Sequence, residues 1–287
     1  MWGSHRRPFR DRSVDTVDDV LVHVGCEFVQ RAQIPTHAVL QVEPRTDGDF
    51  TVVDAVWDDQ TAAISRTYVD SLGNVCRRLT LPEGRSVIRF DAHAEVSPEP
   101  DAVDRDAREV PPEGLPDAVL SYTLPSRFCP SDELGAFAWD RFGAVPEGWE
   151  RVQTISDWVH DEVAFVYGQD PSTATALDVL AARTGVCRDF AHLAVTLCRA
   201  LSIPARYVFG YLPEIGVLPS EFPTDFCAWT EVFLSGRWWT FDPRNGSPRI
   251  GRVLIGRGRD ALDVAMVSTF GAVELEWIEV WADEVKA

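Results

Sequence analysis

The sequence predicts an α+β protein in two units, an all-β sandwich followed by helices packed on an antiparallel sheet. Three observations carry that reading. Short, Val-rich, turn-bounded runs fill the first hundred residues. A Pro-rich acidic stretch interrupts the chain at Ser97–Pro116. Beyond it, the apolar spacing lengthens to the three- and four-residue steps of a helix. At 287 residues the chain suits one large domain or two ordinary ones. The expected division is a sandwich over 1–96, a linker over 97–116 and an α+β unit over 117–287.

The strands of the first unit are expected at Val20–Val29, Ala38–Val42, Val52–Trp57, Ala62–Tyr68 and Ser86–Phe90, with a hairpin turn at Asp70–Asn74. Prolines 98, 100, 111, 112 and 116 mark the crossing. In the second unit, helices are expected at Asp132–Phe142, Gly148–Val163, Thr173–Arg183 and Val186–Leu201. The third and fourth residue steps Val152, Ile155, Val159 and Val163 define one apolar face, and Phe190, Leu193, Leu197 and Leu201 another. Pro204 stops the last helix. Strand-like runs follow at Arg206–Leu212, Ala228–Leu234 and Trp238–Phe241, the last two joined by a turn at Ser235-Gly236.

Charge and composition narrow the function. Lys and Arg number 27 against 45 Asp and Glu, a net charge of −18. Such a surface repels phosphate backbones and anionic lipids, so neither nucleic acid nor membrane is an expected partner. The basic start His5–Arg12 lacks an apolar stretch behind it, and Met1–His5 carries no weight; a cytoplasmic protein is expected. Six scattered cysteines suggest reduced thiols rather than a disulfide framework. No C-x-x-C pair occurs, and neither a metal nor a cofactor is expected.

One cysteine stands out. Gly185-Val186-Cys187-Arg188-Asp189-Phe190 opens the longest well-patterned helix of the second unit. Unpaired first-turn N–H groups and the helix dipole favour an anion there, which lowers a thiol's pKa and makes a nucleophile. Its own N–H is placed to help hold an oxyanion. A small buried core residue is the competing reading, and spacing alone does not separate the two. Cys198, Cys26 and Cys76 read as packing residues, and Cys129 as an exposed loop residue before Pro130. Arg244, Arg249, Arg252, Arg257 and Arg259 cluster along the later chain. They suit either a solvated face or a cleft that binds a substrate carboxylate. Trp229 and Arg244 are taken as substrate-binding candidates, although Trp229 and one of Trp238 and Trp239 also suit the core.

The runs Gly185–Leu201, Ile203–Tyr207, Asp225-Phe226-Cys227-Ala228-Trp229-Thr230-Glu231 and Gly236–Pro243 together resemble the core of the transglutaminase-like superfamily. More narrowly, they resemble its bacterial transglutaminase-like, cysteine peptidase group, which carries an N-terminal β-sandwich. The match is specific from Ala181 to Asp242 and looser over Arg249–Met266. The resemblance implies a papain-like core with a Cys-His-Asp triad. Its nucleophile falls on Cys187 and its aspartate on Asp242. The position of its histidine, before Ala228-Trp229, is held by Cys227. His192 points away from Cys187 on the same helix, His160 lies one helix earlier, and His23, His37 and His93 belong to the sandwich. A histidine base contributes on the order of 10²- to 10⁴-fold, so unactivated amides are expected to react slowly.

Three readings remain. Cys187 attacks a peptide, amide or activated acyl carbonyl. Alternatively, Cys187 and Cys227 act as a thiol pair, on a carbon acid, as a reversible disulfide, or on a soft metal together with Asp242. The third is a binding module without catalysis on the same fold.

Overall fold

The computed structural model describes residues 19–58, 65–168 and 173–286. The basic start with Met1–His5, and residues 62–64 of the fourth expected strand, lie outside the described residues.

Six strands open the chain: β1 (Val20–Ala32), β2 (Thr36–Leu40), β3 (Phe50–Asp58), β4 (Ser65–Val69), β5 (Val75–Leu81) and β6 (Gly84–Val96). Strict alternation drives β1. Val22, Val24, Cys26, Phe28 and Ala32 form one buried row, while His23, Glu27 and Arg31 point outward and are less buried. Between β4 and β5, Asp70 caps the expected turn by accepting from the N–H groups of Leu72 and Asn74, both at 2.8 Å.

The second unit contains a short α1 (Asp117–Leu120), then α2 (Gly135–Phe142), α3 (Trp149–Glu162), β7 (Ala164–Phe165), α4 (Ala176–Ala182), β8 (Thr184–Gly185) and α5 (Cys187–Ala200). After them come β9 (Ala205–Tyr211), β10 (Cys227–Leu234), β11 (Arg237–Phe241), β12 (Val253–Gly258), β13 (Val267–Thr269) and β14 (Val273–Glu284). Thr175 and Asp178 cap α4 reciprocally. The antiparallel sheet runs β11-β10-β9-β12, so the architecture is the α+β one expected. Helix α5 lies at its centre, and every residue from Asp189 to Arg199 is buried. The single apolar face read from the sequence is therefore only part of its contact surface. Ala191, Ala194, Val195 and Cys198 are covered too.

The chain path at its end differs from the expected division. Strands β13 and β14, placed by the sequence in the second unit, return to the first. Two four-stranded sheets result, β14-β1-β6-β3 and β13-β2-β5-β4. Cross-strand partners such as Phe28 and Ile278 drive this return, by burying apolar side chains. The sandwich interior and one face of the other sheet form a single apolar core, in which Phe28 and Phe90 are clustered with Tyr207, Phe209, Tyr211 and Ile255. Polar ties cross the same junction: Arg45 N–H donates to the Leu254 carbonyl at 2.8 Å and Tyr211 Oη to the Val42 carbonyl at 3.0 Å. Nor is the Pro-rich stretch a loose tether. Its Ala107 carbonyl accepts from Trp149 N–H at the start of α3, at 2.9 Å.

Candidate active site

The first turn of α5 is built locally. Asp189 accepts from Val186 N–H at 2.8 Å, covering one of the donors that a helix start leaves unpaired. Gly185 makes this possible: a Cβ there would lie 2.7 Å from the Asp189 Cβ and 2.9 Å from its carboxylate. The turn presents Cys187 at the first helical position, half-buried, against the start of β10.

Two groups of β10 meet that sulfur. Cys227 Sγ, which donates to the Ala228 carbonyl at 3.8 Å, lies beside it, and hydrogen bonding toward Cys227 and the Ala228 backbone, with the Arg244 charge, holds the Cys187 pKa below the ordinary thiol value despite burial and the nearby Asp225. When protonated, Cys187 Sγ donates to the Phe226 carbonyl at 3.5 Å. Cys227 is pushed the opposite way, well above the ordinary value. Its bond to Cys187, its burial and the charges on Cys187 and Asp242 all oppose its ionisation. Two adjacent thiols cannot both ionise cheaply, and the helix start decides which one does. The two shifts run in opposite directions, so Cys187 is the thiol of the pair that ionises first.

Asp242 stands at the end of β11, and β10–β11 pairing sets its predecessor Phe241 opposite Thr230. It is buried and accepts from Asn245 N–H at 2.9 Å, from Asn245 Nδ2 at 2.8 Å and from the Arg252 guanidinium at 2.8 Å. Arg252 also donates from Nε to both oxygens of Asp101, at 2.8 and 3.0 Å, and lies 4.7 Å above the Trp229 ring. Burial opposes its charge, but Asp242 and Asp101 outweigh that and keep it ionised. The triad aspartate implied by the resemblance is thus satisfied by an arginine instead of an imidazole.

Several sequence expectations change here. Trp229 is 2% exposed and packs with Val208 and Leu254 beneath Arg252; it is a floor of the site rather than a substrate contact. Arg244 does line the cavity, bonded to Asn245 at 2.9 Å and set over the Phe165 ring. The arginine cluster is no solvated face. Arg249 and Arg252 are buried behind Asp242, Arg257 pairs with Glu231 and Asp47, and Arg259 pairs with Asp263. Cys129 is fully buried, its Sγ donating to the His192 carbonyl at 3.6 Å. His192 is buried as well, between Phe128 and Tyr207, and accepts from Ala261 N–H at 3.1 Å through Nε2. His160 is bound to the Pro243 carbonyl through Nδ1 at 3.1 Å. Neither ring replaces the missing base.

The thiols open on a cavity of about 860 Å³ whose lining includes Tyr207, Phe226, Arg244 and Asn245. Sequence reasoning missed Asp101, Asn245 and the specific place of Arg252. Only the arginine cluster itself was a signal, and Asp101 lay hidden in the stretch read as linker.

Residues 140–243 match the family model described as the transglutaminase-like superfamily. A crystal structure of a "Putative Cysteine Protease" from Cytophaga hutchinsonii superposes with a TM-score of 0.83 at 28% identity, covering 94% of this chain and 92% of that one. An uncharacterized protein of Mycobacterium leprae is 26% identical over 246 residues, 82% of this chain and 88% of its own. An uncharacterized protein of Mycobacterium tuberculosis strain H37Rv is 28% identical over 233 residues, 72% of each chain. Helix α5, the antiparallel hairpin β10–β11, Cys187 and Asp242 all fall within the segment, residues 140–243, that matches the transglutaminase-like superfamily core, here closed against an N-terminal β-sandwich.

Proposed function

We propose that the protein is a thiol acyltransferase or hydrolase that works on activated acyl groups through Cys187, with Cys227 in place of the triad histidine. The observation that carries this reading is the placement of Cys187 in the first turn of α5, against the start of β10 where Cys227 stands, on a shared cavity.

The chemistry follows from proton bookkeeping. Cys187 attacks as a thiolate, forming a sulfur–acyl bond as the bond to the leaving group breaks. The developing oxyanion faces the first-turn N–H groups of α5. The leaving group takes its proton from Cys227, which has stayed protonated. In the second half, the Cys227 thiolate takes a proton from water or an amine, which attacks the acyl carbon and frees Cys187. A thiol is a far weaker acid than an imidazolium. A departing thiolate or aryloxide needs little protonation and a departing amine needs a strong acid, so thioesters and aryl esters suit this site better than peptides do. The Asp242 charge opposes ionisation of Cys227, and Arg252 holds that carboxylate in place while partly offsetting its effect. Reduced thiols are required, which fits a reducing compartment.

Iodoacetamide labelling at neutral pH tests the reading. Fast, selective alkylation of Cys187, and a Cys187-linked acyl group seen by mass spectrometry after a thioester is added, support it. Slow, uniform labelling of all six cysteines sinks it and leaves the binding module.

A further inference from the structure

The cavity that opens on Cys187 continues well past the thiols. Its charged lining residues are Arg188, Glu214, Asp225, Arg244 and Arg249, all from α5's first turn or the loops that flank the two cysteines. The remaining arm has none. It runs between the two units, past Phe209 to Phe28, Val264, Met266 and Ile278. A site of this size and lining takes a small molecule rather than a protein surface.

The far wall carries an anomaly. Gln30 occupies an inward position of β1, in line with Val22, Val24, Cys26 and Phe28. It is 3% exposed, lines the cavity, and its Oε1 has no hydrogen-bond partner. Its cross-strand neighbour Ser86 is 1% exposed with its hydroxyl likewise unpaired. Buried polar groups normally find partners. Of these two neighbours, Gln30 is the one that lines the cavity.

We propose that this arm is an acyl-chain site, and that the substrate is a thioester or ester of an apolar chain bearing a hydroxyl toward its far end. The carbonyl lies at Cys187, the methylenes run along Phe209, Val264, Met266 and Ile278, and the hydroxyl donates to Gln30. This rests on the thiol reading above for its chemistry but not for its binding.

The test uses the full chain and acyl thioesters from acetyl to dodecanoyl, with their ω-hydroxy counterparts. Each methylene buried is expected to raise kcat/KM roughly three- to fourfold until the arm is full. At the length that reaches Gln30, the ω-hydroxyacyl substrate outruns the plain one, and Gln30→Leu removes that preference. Ile278→Trp, which narrows the arm, lowers the dodecanoyl-to-acetyl ratio by roughly tenfold or more. Decanamide, an unreactive probe, separates binding from chemistry by shielding Cys187 from iodoacetamide. Shielding by decanamide without turnover of any thioester keeps the chain site and removes the acyl-transfer reading. Turnover that ignores chain length, with no shielding, overturns the chain site and keeps the thiol enzyme. Equal rates for plain and hydroxylated chains overturn the part given to Gln30.

Discussion

Helix α5 carries two thiols in opposite states. Cys187 stands in its first turn, where hydrogen bonding toward β10 and the helix start favour the anion. Cys198 lies three turns on, 1% exposed, where burial pushes its thiol up to about 12 and Glu109 adds to the effect. Cys129, against the middle of the same helix, is pushed up to about 11 by burial. The three residues are chemically identical. What separates them is which influence is larger: burial dominates at Cys198, and also at Cys129, where Thr196 and Ser126 offset it only in part, whereas at Cys187 the neighbouring Cys227 outweighs burial.

That contrast can be broken most sharply by deleting each sulfur in turn. Cys187→Ser is expected to lower turnover by at least about 10³-fold, with little loss of stability, while Cys198→Ser keeps turnover. Steady-state kinetics and thermal melts read both. Cys227→Ala removes the largest influence lowering the Cys187 pKa and is expected to slow alkylation of Cys187 at neutral pH by roughly tenfold or more, its thiolate absorbance appearing only at higher pH. Cys227→His restores a stronger acid and is expected to raise amidase activity above that of the parent chain; a peptide amide assay decides it. The pH profile of kcat/KM should be bell-shaped. Its rising limb belongs to Cys187, below the ordinary thiol value, and its falling limb to Cys227, above that value. A single rising limb would remove Cys227 from the reaction.

Stability gives the smaller effects. Cys198→Ser places a hydroxyl in an apolar cluster and should cost about 1–3 kcal/mol, seen as a lower Tm. His192 supplies the last contrast on this helix. Burial, with the Arg188 and Arg199 charges, holds its pKa well below 6.5. The unfolded chain binds a proton below pH 6.5 that the fold refuses. Its contribution is therefore whole above that pH and falls, by at most about 1.4 kcal/mol per unit, as the pH drops toward the folded value. Denaturant melts of His192→Gln should show a shallower acid decline.

Much of this site was legible in sequence because its parts are local. The helix start, the apolar steps and the hairpin turn at Ser235-Gly236 are set by residues a few positions apart. The substitution at Cys227 was visible against the resemblance. Asp101 was not, because nothing near Pro100 announces an ion pair with Arg252 some 150 positions later. Trp229 was misjudged for a related reason: alternation along β10 gives its face, but only the packing of Arg252 shows that the face is covered. The return of β13 and β14 is long-range pairing, which short-range spacing does not encode.

That return has a consequence for the order in which the molecule is completed. Val22 pairs with Glu284, roughly 260 positions apart, and the same strand supplies Ile278 to the cavity. Helix α5 and its thiols therefore leave the ribosome before the last wall of their substrate site exists. The first turn of α5 is made early, while the cavity beside it is finished only when β14 docks along β1. The shape of the cavity is accordingly a late product of folding, and trimming β14 would leave Cys187 without one of its walls.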